Sequence, residues 1–395
     1  MIDRKSSRRQ FLAALGLSAA AALLPKTLAF AESDKIRVGL ILPYTGGYAQ
    51  TGAAITNGFK LGVSQRGGKL GGRELEYFAV DDRGDAARAP ENIERLLKID
   101  KVDILIGTVE HSVQMSLVKF VRETKTLLVI PHAGMDAATG ALCAPNIFRA
   151  SASHWQPSYP MGKILADRGI RNVVSLAWKY GPSEEAVAAF TEGFIKAGGQ
   201  LVRGLWKPFP NAEFQTALAE IASIKPDAVF ASLTGSGAVK FIKDYAATGL
   251  AKSTLLFGTG LLTEGMLDAL DGAAEGIETT LHYADGLNSR RNQEFRGAYN
   301  KAYNSDPNVY AVQGYDAALL LAIGLDAAKG DVRRQKEWIG AMGRAKIDSP
   351  RGAWRMSKAH NPIQDIYLRK VVGRENRIVG VARKALADPA RGCKM

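Results

Sequence analysis

Cysteine is scarce, with two in 395 residues, at 143 and 393. That excludes a disulfide-stapled scaffold and any cysteine-rich zinc or iron–sulfur module. Chain distance does not decide between a Cys143–Cys393 bond formed after export and two free thiols. The five histidines, at 111, 132, 154, 282 and 360, show no metal-ligand spacing and no partnered carboxylates. There is no Gly-x-Ser-x-Gly elbow, no His-Glu-x-x-His and no Gly-Lys-Ser/Thr phosphate loop, so no common hydrolase, metalloprotease or nucleotidase signature is present. No apolar run reaches the roughly 20 residues of a bilayer-spanning helix. No block of five like charges occurs either. The net charge of +13 is therefore dispersed, which argues for a solvated surface over a nucleic-acid interface.

What is present is a globular composition, 46% hydrophobic and 23% charged, with an address at its front. Ser7-Arg8-Arg9-Gln10-Phe11-Leu12 precedes the apolar run Ala13 to Leu24, and Ala29-Phe30-Ala31 supplies small residues for a signal peptidase. Basic front, apolar middle and A-x-A end make a secretory signal. The paired arginines resemble the twin-arginine class. Cleavage is expected after Ala31, with a periplasmic product and no membrane anchor, because no cysteine stands near the site. Residues 1–31 carry five cationic side chains and one acidic one, so the mature chain keeps +9 of the +13.

The mature chain alternates strand and helix. Ile36 to Leu42, Glu74 to Val80, Val102 to Gly107 and Leu127 to Pro131 read as strands, separated by helical stretches over 53–64, 85–97 and 112–123. A second run follows: Val173 to Ala177, Leu201 to Trp206, Ala228 to Leu233 and Leu255 to Phe257, the first three followed by helices over 184–197, 214–223 and 238–248. The last leads towards Glu264 to Leu270. Such alternation predicts parallel sheets covered by helices on both faces. The fold class is α/β, with two doubly wound lobes. In open parallel sheets ligands bind beyond the carboxyl ends of the strands. This selects 44–51, 108–112, 132–134, 178–183, 234–237 and 259–262 as candidate ligand segments. Gly235-Ser236-Gly237 follows a strand and opens a helix, but Lys240 replaces the third glycine of a dinucleotide fingerprint. A tight turn is the simpler reading, although amides at a helix start can still hold a carboxylate.

An ordered series of short motifs then carries a resemblance. Thr45-Gly46-Gly47-Tyr48-Ala49-Gln50-Thr51-Gly52, Asn57-Gly58, Gly67-Gly68, Gly71-Gly72-Arg73 and Asp81-Asp82 open it. Ile106-Gly107, Ile130-Pro131, Ile147-Phe148-Arg149, Tyr180-Gly181, Pro226-Asp227-Ala228-Val229 and Gly314-Tyr315-Asp316-Ala317 continue it. Together they resemble the leucine/isoleucine/valine-binding proteins, type I solute receptors of hydrophobic-amino-acid ABC transporters. The resemblance implies two lobes joined by three crossovers, near Ala150, Thr280 and Ser349, that close on a ligand by a hinge motion. Lobe 1 is expected over 32–150 and 281–349, lobe 2 over 151–280 and 350–385, and a tail over 386–395. It also implies a monomer that needs no cofactor or metal, meets no nucleic acid and delivers a small molecule to a membrane permease.

Carried across residue by residue, the family's ligand contacts fall on changed side chains. Its serine falls at His111 or Ser112 in Glu110-His111-Ser112, and its threonine at Gly134 in His132-Ala133-Gly134. Its second-lobe tyrosine falls at Thr234, and the acid that holds the ammonium falls at Gly260. A bulky aromatic falls at Tyr310, and Tyr180 keeps the Tyr-Gly pair. Tyr44, Thr51 and Trp155 lie on cleft-facing segments. Two histidines, aromatics and no ammonium partner fit a carboxylate without an amine, so an aromatic or 2-oxo acid is the preferred ligand. Branched-chain amino acids, short amides and urea are the alternatives. An exported enzyme on a doubly wound scaffold, or a sensory receptor of the same fold, stand beside transport. Each residue also has a plainer reading. His111 and His132 could be satisfied loop histidines, Tyr310 and Trp155 lobe packing, and Glu110 a solvent-facing acid, although a carboxylate after a cleft strand could also bind a ligand hydroxyl or pair with His132.

Overall fold

The computed structural model describes residues 35–210 and 213–395. The expected export signal lies outside them. The chain begins β1 (Ile36–Leu42), α1 (Ala49–Ser64), the hairpin β2 (Lys69–Leu70) and β3 (Arg73–Asp81), then α2 (Ala89–Glu94). It continues β4 (Ile104–Gly107), α3 (His111–Val121), β5 (Leu127–Ile130) and β6 (Ile147–Arg149). These strands form a six-stranded sheet in the order β2-β3-β1-β4-β5-β6, parallel except for the β2–β3 hairpin. β4 and β5 are buried along their whole length and β1 at all but Arg37, which is why they read as unbroken apolar runs.

The second sheet takes its strands from two stretches of chain. The first is α4 (Trp155–Asp167), β7 (Asn172–Trp178), α5 (Gly181–Lys196), β8 (Gln200–Lys207), α6 (Gln215–Ile224), β9 (Ala228–Ser232), α7 (Gly235–Ala247), β10 (Leu255–Thr259) and β11 (Glu278–Leu281). Three helices, α8 (Arg290–Tyr303), α9 (Val309–Ala327) and α10 (Gln335–Met342), intervene. Then β12 (Lys346–Ile347), β13 (Trp354–Met356), β14 (Pro362–Val372) and β15 (Glu375–Leu386) complete the sheet. Its order is β12-β13-β14-β11-β10-β9-β7-β8, with β15 on β14. β7 to β11 pair in parallel, while β14 is antiparallel to each neighbour. Between Glu264 and Leu270 the chain makes no long helix. Gly265 and Gly272 take positive φ values, and only short 3-10 turns, Gly260–Leu262 and Leu267–Leu270, form.

The intervening helices return to the first sheet. Ala317 to Leu325 of α9 and Trp338 of α10 enter the core that contains Ile36, Val38, Ile104 and Val129. α9 is apolar almost all round because it is buried almost all round. It lies against α1 at a very close crossing. A Cβ on Gly58 would stand 1.9 Å from the Ala311 carbonyl oxygen, and one on Gly314 2.0 Å from that of Ile55. Near where the chain passes between the sheets, Asp316 is fully buried. It accepts hydrogen bonds from Ser349 Oγ (2.9 Å) and Trp354 Nε1 (3.1 Å) and lies 3.0 Å from Arg351 Nε. Arg351 Nη2 in turn donates to the Ala150 carbonyl at 2.8 Å.

Cys143 and Cys393 are bonded, with Cα atoms 5.5 Å apart. Among the described residues, no helix is long and apolar enough to cross a membrane.

Candidate ligand-binding site

The carboxyl ends of the parallel strands face a common cavity of about 400 Å³. Its wall is largely aromatic and aliphatic: Tyr48, Val109, Trp178, Tyr180, Val239, Leu261, Met266 and Tyr310. Tyr180 stacks on Phe209 and meets His111 edge-on. Tyr310 packs edge-on against His132, ring centres 5.0 Å apart.

The polar part of the wall is built by helix starts. His111 opens α3, Gly181 and Pro182 open α5, and Gly235 opens α7; residues of all three line the cavity. Tyr180 and Thr234, the residues before α5 and α7, make no side-chain capping bond. In α5 Pro182 has no N–H and Ser183 N donates to the Tyr180 carbonyl at 3.0 Å. The first turn of α7 is therefore the one whose amides are left for other partners, at the positive end of that helix. No lysine or arginine is among the lining residues. The two acids in the wall are both engaged. Glu110 caps α3, accepting from Val113 N at 2.9 Å and Ser112 Oγ at 2.5 Å. Glu264 is buried against Arg369 Nη1 at 2.7 Å.

An annex of about 60 Å³ adjoins the cavity and shares His132, Gly134, His154 and Thr234 with it. Here a hydrogen-bond chain sets the tautomers. Gln313 Oε1 is 2.8 Å from His132 Nδ1, so that nitrogen donates. Gln313 Nε2 donates to His282 Nε2 at 3.3 Å. The result is a neutral His132 whose Nε2 is an acceptor, and a His282 whose buried Nδ1–H has no partner. Burial pushes His132 down to about 4 and His282 well below the usual histidine range. Burial, with His154 nearby, also lowers His111.

Of the residues singled out by sequence, Thr51, Glu110, His111, His132, Gly134, Tyr180, Thr234 and Tyr310 line the cavity. Five others stand outside its lining, each for a local reason. Tyr44 packs with Leu42, Ile55 and Val109, its hydroxyl 2.9 Å from Thr56 Oγ1. Ser112 is exposed and bonded to Glu110. Ala133 is core, its amide on the Thr108 carbonyl. Trp155 stacks on Tyr159 and donates from Nε1 to Glu192 at 2.9 Å. Gly260 packs on Leu281 and gives its carbonyl to Arg369 Nη2 at 3.1 Å. Glu110 does not pair with His132, whose partner is Gln313.

The expectation that no histidine has a carboxylate partner also fails, because His154 Nδ1 lies 2.7 Å from Glu185 Oε2. Burial pushes His154 down to about 4 and Glu185 upward. Asp136, whose amide donates to both Glu185 oxygens at 3.2 Å, is raised to about 7 by burial and by Glu185. His154, Glu264, Asn308, Gln313 and His282 are among the polar groups that sequence reasoning passed over. Only His154 had a signal, being next to Trp155 on a segment already selected. Gly235-Ser236-Gly237 is the tight turn opening α7; a Cβ on Gly237 would meet the Trp178 ring at 2.3 Å.

The family model for the periplasmic binding proteins matches residues 35–376. The chain belongs to this family. A solute-binding protein of an ABC transporter from R. palustris, solved in complex with benzoate, is 44% identical; the match covers 91% of this chain and all of that one, with a TM-score of 0.86. A solute-binding protein from Rhodopseudomonas palustris BisB5, solved with 3,4-dihydroxy benzoic acid, is 31% identical over 90% of this chain and 99% of that one, with a TM-score of 0.83. The Leu/Ile/Val-binding protein homolog 6 of Brucella melitensis is 30% identical over 86% of this chain and 88% of its own length. These findings correct the resemblance. The fold is that of the leucine-type receptors, but the 44% and 31% relatives hold aromatic acids, so the likeness to hydrophobic-amino-acid receptors does not carry the ligand. The family places this periplasmic binding protein among transport receptors and not among enzymes.

Proposed function

We propose that this binding protein captures an aromatic carboxylate for an ABC importer and delivers it to the membrane permease. The observation that carries the reading is a cavity with aromatic walls onto which the uncapped N-terminus of α7 opens, with both wall acids already engaged. A carboxylate is stabilised by the free amides and dipole of a helix start such as that of α7, and Tyr180 and Tyr310 supply aromatic wall for a ring. An α-ammonium would find no free acid, since Gly260 replaces the family's carboxylate and Glu264 is neutralised by Arg369. His111, His132, Thr51, Tyr180, Thr234 and Tyr310 are the proposed contacts. The acceptor at His132 Nε2 suits a ring hydroxyl, which agrees with the hydroxylated benzoates held by relatives.

In this reading the chain acts as a monomer, exported and cleaved after Ala31. The lobes are 32–150 with 281–349, and 151–280 with 350–385, followed by the tail. A thermal-shift panel on the mature protein tests the ligand class. Benzoate or a hydroxybenzoate at 100 times its dissociation constant adds about 2.7 kcal/mol of stability, and leucine adds none. A shift with leucine and none with any benzoate overturns the proposal.

A further inference from the structure

We propose that His111, His154 and Glu185 form a binding site for one divalent transition-metal ion of the zinc kind, bridging the two lobes beside the ligand cavity. One ligand atom from each residue lies within 4.8 Å of the other two. The residues come from different parts of the fold. His111 is at the start of α3, between two strands of the first sheet. His154 immediately precedes α4, and Glu185 is in the first half of α5, on the second sheet. Nothing in chain spacing brings them together; the closing of the lobes does.

Two imidazoles and one carboxylate are the donor set of three-ligand zinc sites, which keep a fourth position for water or another anion. Calcium and magnesium prefer oxygen donors alone. Ligands about 2.0–2.1 Å from a tetrahedral ion stand about 3.3 Å from one another. Closing the present cluster around an ion therefore needs about 1.5 Å of movement at most, within reach of small side-chain rotations. The imidazole rings already lie nearly parallel, 18° apart with centres at 6.0 Å. His111 Nδ1 is buried without a hydrogen-bond partner.

The surroundings hold the donors as outer partners of metal ligands do. The Asp136 amide donates to both Glu185 oxygens, and Asp136 Oδ1 accepts from Trp155 N at 3.1 Å. The His154 amide is fixed on the Gly134 carbonyl at 2.8 Å. A side chain at Gly134 would come within 2.8 Å of His154 Nε2, and one at Gly181 within 2.7 Å of His111 Nε2. The backbone is thus kept bare where both rings sit. Because His111 and His154 also line the cavity, water or an anion in the cavity completes the coordination.

The test uses the mature chain with its disulfide intact and no polyhistidine tag, stripped with a chelator. Equilibrium dialysis against micromolar Zn2+ with elemental analysis gives the stoichiometry, and Co2+ loading gives the visible absorption of a nitrogen- and oxygen-ligated ion. The expected result is one ion per chain, not displaced by millimolar Mg2+ or Ca2+. His154→Ala, Glu185→Gln and His111→Ala should each weaken binding by more than about tenfold and abolish the cobalt bands. His111→Ala removes a partly exposed ring at a helix start, so it reports on the site even where His154→Ala perturbs folding. Binding well below one ion per chain by the wild type overturns the proposal, and so does stoichiometric binding that survives in His111→Ala and Glu185→Gln. Neither measurement involves an aromatic acid, so failure here leaves the ligand assignment standing.

Discussion

His132 shows how a single side chain combines binding and electrostatics. Its Nδ1–H is committed to Gln313 and Tyr310 packs edge-on against its ring, so Nε2, on the cavity side, is the ring nitrogen left to meet water or a ligand. Burial holds its pKa at about 4, below the roughly 6.5 of an exposed histidine. As pH falls, unfolded chains therefore take up the proton first. The stability contributed by the neutral ring is intact above about pH 6.5 and is lost on the way down to about 4. An NMR titration of the His132 ring should show one neutral tautomer, protonated at Nδ1, through pH 6, with a midpoint near 4. A midpoint near 6.5 would show that the ring is solvated and that the Gln313 bond does not hold it. His132 and His111 were legible in sequence because each follows a strand whose end faces the cleft. Gln313 and Glu185 were not, because each sits inside an ordinary helix and becomes functional only through packing.

At the scale of elements, the contact between α1 (Ala49–Ser64) and α9 (Val309–Ala327) ties the helices that cover the first sheet to a segment far along the chain. Gly58 and Gly314 face reciprocal carbonyls, at Ala311 and Ile55, at separations no Cβ tolerates. Gly58→Ala or Gly314→Ala must therefore push the helices apart and open the core between them. Overpacking of this kind costs typically 1–3 kcal/mol, read as a lower midpoint in urea or thermal unfolding. The double variant should cost less than the sum, since the first alanine has already separated the backbones. Full additivity would mean that the two glycines do not share one crossing. Both residues belong to the short motifs that carried the family resemblance, and the crossing is the physical reason for their type. The parallel strands were legible because two covered faces leave an apolar run. The long β14–β15 hairpin was not. β15 is mostly exposed or half-buried, with only Asn376 and Leu386 buried, at the edge of its sheet, and Gly373 with its neighbours resembles many surface turns.

For the whole molecule, the disulfide joins parts that the fold alone keeps separate. β15 ends at Leu386 on the second sheet, yet Cys393 is bonded to Cys143, between β5 and β6 of the first. Along the way the tail is anchored at intervals. The Ser153 hydroxyl donates to the Asp388 carboxylate, and Arg391 Nη2 pairs with Glu192 on α5 at 2.7 Å. The tail thus spans both lobes, fastened to one by polar contacts and to the other by a covalent bond. Such a bond persists outside the reducing cytoplasm, as an exported chain requires. The loop it closes has a sequence separation of 250, so the unfolded chain loses much freedom when it forms. Removing a native disulfide typically costs about 2–5 kcal/mol. Cys143→Ser, Cys393→Ser and the double variant should therefore melt earlier by a similar amount, because each breaks the same bond. A thiol reductant should lower the wild-type melting temperature to theirs and leave the double variant unmoved. Hydrogen exchange at residues 388–393 should rise in every reduced or substituted form, while amides of β4 and β7 keep their protection below the melting range. Equal melting of oxidised and reduced wild type would show that the polar anchors at Asp388 and Arg391 are enough to hold the tail across the lobes.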